Sequence, residues 1–509
     1  MADNLDNRSR RIAKNTMMLY VRMFFMMLVG LYTSRVVLDA LGENDYGIYS
    51  VIGGVVAMFT MLSGSLNAAV SRFITFELGK GERGNLSTVY STAVITQLLI
   101  SVIVAVVAEP VGLWFIEEKM TIDPSRVPAA QWVLHFSVLS FIVNLMSVPQ
   151  MALITAHEKM SAYAYIGMLD ALLRFGVALL ISHSLSDRLI LYSAFMALTV
   201  LIVRSVYGIY SRRSFPECRF RLVLDRILLK DIFAFSGWNF IGASSGVLRD
   251  QGGNILINVF FSPAMNAARG IAVQLNGTVQ GFVNNFMAAV NPQITKSYAS
   301  GDHDYMFSLV RKSSRMSFYL LFIIAFPVIF NSGYLLELWL KDVPQSADLF
   351  VKLFLVFSLS ESMSLSLITL QLATGKVRDY QIVVGGLQLL NLPVSYVCLK
   401  LGCIPESTVI VAIVISQICF FARLVMLRRI TGLDLKGFVR KVYLNIIKVV
   451  SAAAVLPVLL CGYLPETFLG FILSVILCLA CVALSLFFVG CSRDERNELM
   501  SMFRKRLKI

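Results

Sequence analysis

The chain has 509 residues, 57% of them hydrophobic and only 15% charged, with a formal net charge of +14. Soluble domains carry about 25% charged residues, so there is too little charge here to coat several water-soluble domains, and a soluble enzyme is excluded. In a soluble chain the positive excess would suggest nucleic acid; here it reads as the basic bias of a membrane protein's cytoplasmic loops.

In chain order, Arg8, Arg10, Arg11 and Lys14 come first. They precede an apolar stretch too long for a cleavable signal and followed by no small-residue cleavage site, so it is predicted to stay as the first transmembrane helix. Apolar runs such as 94–107, 320–330 and 468–489 continue from there. Runs near 20 residues match a hydrocarbon core roughly 30 Å thick. Hydropathy and breaker positions predict about fourteen spans, at 15–37, 46–70, 89–116, 128–155, 162–183, 189–210, 232–260, 267–290, 314–331, 347–373, 380–399, 407–427, 443–461 and 468–489. The seventh and eighth are polar and glycine-rich. The fold class is therefore an all-α polytopic membrane protein.

Alternating the connections places roughly 31 lysines and arginines on one side and about 6 on the other. The minority comprises Lys119, Arg126, Arg188, Arg269, Lys341 and Lys400. Both termini are then predicted to be cytoplasmic. Three cytoplasmic segments, 8–14, 212–230 and 494–507, are amphipathic, and either lie along anionic headgroups or form plain basic loops. Most of the 8 cysteines sit in apolar runs, where small residues serve helix packing. Cys403 and Cys461 fall near the outer face, leaving a disulfide between them open.

The chain repeats itself. Ala68-Ala69-Val70, Ile74-Thr75 and Gly81-Glu82 recur at identical spacing as Ala288-Ala289-Val290, Ile294-Thr295 and Gly301-Asp302. Ala156, Lys159 and Tyr163 recur as Ala373, Lys376 and Tyr380. Two six-span lobes of like orientation are predicted, at 1–210 and 211–427, with two extra helices and a basic tail at 428–509. A site at the interface of such repeats is an alternating-access design.

After the first span come Arg35, Leu38, Leu41-Gly42, Tyr46-Gly47 and Tyr49, and Phe235-Ser236-x-Trp238 opens the seventh. These residues resemble the signature of bacterial polysaccharide exporters and O-antigen flippases, a branch of the multidrug/oligosaccharidyl-lipid/polysaccharide exporter superfamily. The resemblance covers the full chain. It implies a V-shaped pair of six-helix lobes plus two C-terminal helices in the bacterial inner membrane. It implies a flippase carrying undecaprenyl-pyrophosphate-linked oligosaccharide to the outer leaflet for O-antigen, capsule or exopolysaccharide assembly. Its partners would be that substrate, membrane lipids and polysaccharide polymerase or other assembly proteins. Relatives carry cavity arginines on the first and neighbouring helices; Arg22, Arg35, Arg249 and Arg269 could play that part here.

Charge within the bilayer is costly, about 2.5–3.5 kcal/mol per residue on insertion scales, so each case asks for a role. Arg22 lies two turns into the first span and either snorkels or binds ligand. Arg249 and Asp250 are adjacent, roughly 100° apart on a helix, so a local salt bridge is not expected and one should face a cavity. Asp170 and Arg174 are spaced to pair. Arg204 and Lys352 lie near span ends and are expected to snorkel. Glu361, mid-span, is a candidate proton or sodium site together with Asp250; a cross-helix hydrogen bond is the alternative. Amides recur every four residues at Asn276, Gln280 and Asn284, and after Asp250 at Asn254 and Asn258. Such ladders cannot face lipid. They face either helix neighbours or a hydrated cavity, where amides suit sugars and arginine forks suit pyrophosphate.

No cofactor is expected and no metal site: Gly79-Lys80-Gly81-Glu82-Arg83-Gly84 lacks the ending of a P-loop, His157-Glu158-Lys159 is not a zinc-protease motif, and only four histidines occur. No nucleic acid and no catalytic activity are expected. Two other readings stay open: a cation-coupled multidrug exporter of the same superfamily, and a membrane glycan polymerase or ligase, which the lack of a large outer loop disfavours.

Overall fold

The computed structural model describes residues 2–57, 60–81, 85–118, 122–184, 186–216, 225–261, 263–339, 343–344, 346–461, 465, 467–492 and 495–497. Among them the secondary structure is helical throughout.

α1 (Ala2–Ala57) is 56 residues long, about 84 Å if straight at 1.5 Å per residue, far more than a bilayer. A corner resolves this: Gly42 adopts φ 74, ψ 170, a conformation open essentially to glycine alone. The expected first and second spans thus join at a sharp bend, not a loop. α2 (Thr60–Gly79), α3 (Leu86–Glu118), α4 (Val127–Met146), α5 (Val148–Ala156), α6 (Met160–Ser182), α7 (Arg188–Ser214), α8 (Arg226–Phe260) and α9 (Pro263–Ala299) follow. Next come α10 (His303–Trp339), α11 (Ala347–Ser362), α12 (Leu365–Ala373), α13 (Val377–Tyr380), α14 (Gly386–Leu389), α15 (Asn391–Lys400), α16 (Ser407–Thr431), α17 (Leu435–Phe438), α18 (Leu444–Leu460) and α19 (Phe468–Ser485). π-helical turns at Gln381–Gly385, Val439–Tyr443 and Leu486–Gly490 continue α13, α17 and α19.

Among the described residues eleven helical segments are long and apolar enough to cross a membrane. α2, α8 and α9 are helical but too polar to join that set. Bulky apolar side chains such as Val102, Ile103 and Val106 stay more than half exposed, as lipid-facing residues do.

The chain divides into two compact units. Unit 1 is Met1–Ala243 with Ala288–Gly301; unit 2 is Ser244–Met287 with Asp302–Ile509. In unit 1, Ile100, Val104, Val133, Leu134 and Val138 form one core between α3 and α4. Val70, Ile74, Tyr90, Leu153 and Tyr207 form another. Arg126 donates from Nε to Asp45 at 3.0 Å and from Nη1 to Asp187 at 2.7 Å. In unit 2, Phe318, Phe322, Phe326 and Phe330 line one face of α10, with successive ring centroids 5.6, 4.8 and 4.9 Å apart. Tyr319 donates to Asn445 and Arg315 pairs with Glu495, holding the C-terminal helices against α10.

The sequence repeat is also a structural one. Ala69, Val70 and Ile74 are fully buried, as are Ala289, Val290 and Ile294. α2 and α9 both run out into left-handed glycines, Gly81 (φ 62) and Gly301 (φ 77). α4 and α11 each break before a nine-residue helix, α5 and α12, at Ser147 and Ser364.

The open disulfide is not made: Cys403 and Cys461 are free thiols, and Cys461 Sγ faces Ser474 Oγ at 3.2 Å. Of the amphipathic segments, 8–14 is part of α1; 212–230 ends α7 and opens α8, with 217–224 outside the described residues; 494–507 lies largely outside them.

Candidate functional site

Unit 1 holds a cavity lined from α1, α6 and α7. After the Gly42 corner, Tyr46 and Tyr49 stand one turn apart on α1 and face α7, where Tyr49 meets Tyr192 edge to face at 4.8 Å. These rings, with Thr33, Asp170 and Arg174, line a cavity of about 640 Å³. A second cavity of about 240 Å³ shares Tyr49 and Arg174 and adds Asn144 and several serines. Asp170 Oδ1 accepts from Arg174 Nε at 3.0 Å, so the expected i,i+4 pair forms, and it forms at the cavity wall.

Two further arginines sit in this unit. The Arg22 guanidinium lies 4.4 Å from the Tyr163 ring centroid and against Gly167, where a Cβ would come within 2.3 Å of Arg22 Nε. That Nε has no hydrogen-bond partner among the described residues. Arg204 reaches another helix: its Nε donates to Asn144 Oδ1 at 2.9 Å and its charge lies 5.4 Å from the Tyr207 centroid. A guanidinium on a ring face keeps an electrostatic partner where water is excluded.

Unit 2 carries a tighter polar cluster. Arg249 Nε donates to Asp250 Oδ1 at 2.9 Å. This corrects the expectation from helix geometry: Cβ directions 100° apart do not prevent pairing when one side chain is as long as arginine. Arg249 also lies 4.8 Å from the Phe357 centroid. Arg269, 4% exposed, donates from Nη1 to the Asp250 carbonyl at 3.0 Å and to Asn254 Oδ1, and lies 5.4 Å from the Phe354 centroid. Gly253 makes room for it: a Cβ there would sit 2.7 Å from Arg269 Nη2. The space between Arg249, Arg269 and Phe357 is about 20 Å³, room for roughly one water.

The amide ladder on α9 resolves into two uses. Asn276 Oδ1 accepts from Ser358 Oγ at 2.5 Å, and Gln280 Nε2 donates to that same oxygen at 2.6 Å. Both amides are thus engaged between α9 and α11; Asn284 is the exposed rung. The side chains of Arg35 and Asn258 lie outside the described residues. Glu361 accepts from Ser416 on α16, a cross-helix bond. Within its electrostatic reach are Arg249 and the fully buried Arg423, whose Nε and Nη1 donate to Tyr380 Oη at 3.2 Å and Ser364 Oγ at 3.0 Å. Lys352 is part-exposed and pairs with Asp348 at 2.7 Å.

The sequence reading did not single out Tyr192, Asn144 or Arg423, and it quoted Tyr46 and Tyr49 only for a resemblance. The signal for the tyrosines was there: two rings one turn apart, directly after a glycine.

The sequence model for a family described as "Polysaccharide biosynthesis protein" matches residues 12–298. No curated protein sequence matches the chain. Among solved structures the chain is similar to a MATE protein in its bent conformation, at 11% identity over 84% of this chain and 96% of that one, with a TM-score of 0.73. A structure titled as the outward-facing conformation of a multidrug resistance MATE family transporter of the MOP superfamily is similar at 11% identity, covering 84% and 97%, TM-score 0.72. The Vibrio cholerae MATE transporter VcmN, solved as a point mutant, is similar at 15% identity, covering 83% and 98%, TM-score 0.67. At these identities the likeness is one of fold.

Proposed function

Because the chain belongs to the polysaccharide biosynthesis protein family and has the fold of MATE transporters, we propose that it is a flippase for lipid-linked oligosaccharide. It carries undecaprenyl-pyrophosphate-linked units from the cytoplasmic to the outer leaflet of a bacterial inner membrane by alternating access. The observation that carries this reading is the wall chemistry of the 640 Å³ cavity in unit 1. Ligand pockets run about 300–1,000 Å³, so a few sugar rings fit. Tyr46, Tyr49 and Tyr192 offer flat apolar faces and hydroxyls, which suit a sugar's two sides. Arg174 offers a planar fork for a phosphate oxygen pair, if Asp170 yields it.

The cation-coupled exporter reading has one observation in its favour. Asp170 stands at the wall of that cavity, and Glu361 is half-buried in unit 2 within reach of two arginines. Carboxylates in such places can couple an ion to transport. In the flippase reading they hold the arginines in place.

The experiment is deletion of the gene in its host, followed by extraction of polyprenol-linked glycans. The proposal expects complete oligosaccharide units to accumulate on the inner leaflet while surface polysaccharide disappears. The wild-type gene should restore export; Arg174→Ala and Arg249→Ala should not. Intact surface glycan together with new sensitivity to cationic dyes would replace this reading with drug export.

A further inference from the structure

The two repeat halves differ at one backbone position that ought to be glycine. Both Glu158 and Gly375 are left-handed, at φ 59 and φ 77. Each follows the end of a matching helix, α5 at Ala156 and α12 at Ala373. Glycine takes that conformation freely, whereas an L side chain there is strained. The first half keeps a glutamate at this turn despite the strain, which directs attention to its side chain.

That side chain is 1% exposed. Its carboxylate accepts from Arg11 Nε at 2.8 Å, from Lys296 Nζ at 2.8 Å and from Gln293 Nε2 at 2.6 Å. Asn15 Nδ2 donates to its backbone carbonyl at 3.1 Å. Two donors come from the start of α1 and two from the end of α9, so one residue ties both helices to the α5–α6 turn. Beneath it Leu19, Met160 and Ala289 pack to 0–1% exposure. α2 closes the other flank: a Cβ on Gly79 would stand 2.9 Å from the Lys296 carbonyl and 2.7 Å from Ala299 Cβ. All of this lies in unit 1, on the side the basic residues mark as cytoplasmic. Yet the preceding turns of α9, up to Met287, belong to unit 2.

We propose that Glu158 is the clasp of a cytoplasmic gate: its carboxylate holds the start of α1 and the last turns of α9 shut, and release of Arg11 and Lys296 opens the passage to the cytoplasm. The proposal rests on reading the chain as an alternating-access transporter and is independent of what it carries. The left-handed turn aims the carboxylate, and the two cations hold it. Of the two, Arg11 is 54% exposed and Lys296 24%, so the clasp can be undone from the water side.

The test places a single reporter cysteine at Ala289→Cys, with the native cysteines replaced by serine. A membrane-impermeant maleimide is applied to inside-out vesicles and the labelling rate is followed. Glu158→Gln keeps the shape of the side chain and removes both ion pairs. Labelling should rise about tenfold or more, the population shift that follows loss of a charge-assisted hydrogen bond. Glu158→Gly should do the same, although it relaxes the turn. Arg11→Met, on an exposed helix end, leaves the turn untouched and should raise the rate in the same direction even if the Glu158 variants fold poorly. Labelling at the parent rate in Arg11→Met and in any folded Glu158 variant overturns the proposal. Neither readout involves glycan, so the gate and the flippase reading fail separately.

Discussion

Two glycines on α6 offer a matched pair of substitutions with opposite expected signs. Gly167 and Gly176 are both interior to one helix. An alanine at Gly176 meets nothing within 4 Å, so only the helix-propensity gain applies, about 0.5–1 kcal/mol. An alanine at Gly167 puts its Cβ 2.3 Å from Arg22 Nε and 3.1 Å from both Cδ and Cζ. The guanidinium must lift from the Tyr163 face. That forfeits about 0.5–2 kcal/mol of cation–π attraction and adds about 1–3 kcal/mol of overpacking, against the same propensity gain. The propensity gain cancels between them, so the two variants should differ by about 1.5–5 kcal/mol. At about 2.1 cal/mol/K per residue, a chain of 509 residues turns that into a difference of about 1.5–5 °C in Tm. Thermal unfolding of the purified protein in detergent, followed by loss of the monodisperse size-exclusion peak, measures it. Gly176→Ala should lie at or above wild type and Gly167→Ala below it. Equal shifts would refute the placement of Arg22 against α6.

Arg423→Met removes one member of a buried charged network and should cost about 3–5 kcal/mol. Adding Glu361→Gln should recover part of that, since coupled neighbours show interaction energies of about 0.5–3 kcal/mol; strict additivity in a double-mutant cycle of thermal stabilities would separate the two residues. Gly42→Ala forces a side chain into φ 74, ψ 170 and should cost about 1–3 kcal/mol, with export falling faster than the amount of folded protein, because Tyr46 and Tyr49 are set by that corner. Asp187 titrates below the usual carboxylate range: burial pushes it up, but the Arg126 guanidinium and the Ile190 and Leu189 amides outweigh that. Its contribution is therefore present above the unfolded-state pKa and lost as pH falls through the lower folded value. Stability measured from pH 7 down to pH 3 should fall less steeply in Arg126→Met than in wild type, and parallel curves would count against the ion pair.

The spans, the repeat and the Gly42 motif were legible because each is a local pattern. Period, length and glycine placement survive in one dimension. Glu158 shows where that ends: the repeat aligns it with Gly375, but its donors are 135 and 138 residues away at Gln293 and Lys296. Arg204 read as an interfacial side chain because its partner, Asn144, is on another helix. The Arg249–Asp250 pair was missed for a simpler reason: backbone angles were used where side-chain reach decides. Arg423 was not singled out because its partners, Tyr380 and Ser364, lie 43 and 59 residues earlier on other helices. The unit 1 cavity does not stand out in the sequence, because most of its wall is small and apolar side chains with three tyrosines, drawn from α1, α6 and α7, which no local pattern links.

The partition of α9 between the two units has a consequence for how the protein is made. The hairpin of α8 and α9 leaves the ribosome before most of unit 2 exists. Asn276 and Gln280 must wait for Ser358, which lies 82 and 78 residues further along. At about 5–20 residues per second the wait is about 4–16 s, with two amides and the charge of Arg269 lacking their final neighbours in a lipid environment. Unit 1, by contrast, lacks only its closing segment, Ala288–Gly301, and can finish as soon as that segment emerges. Biogenesis of this chain therefore has a vulnerable interval set by its topology, when an insertase or membrane chaperone would have the most to shield.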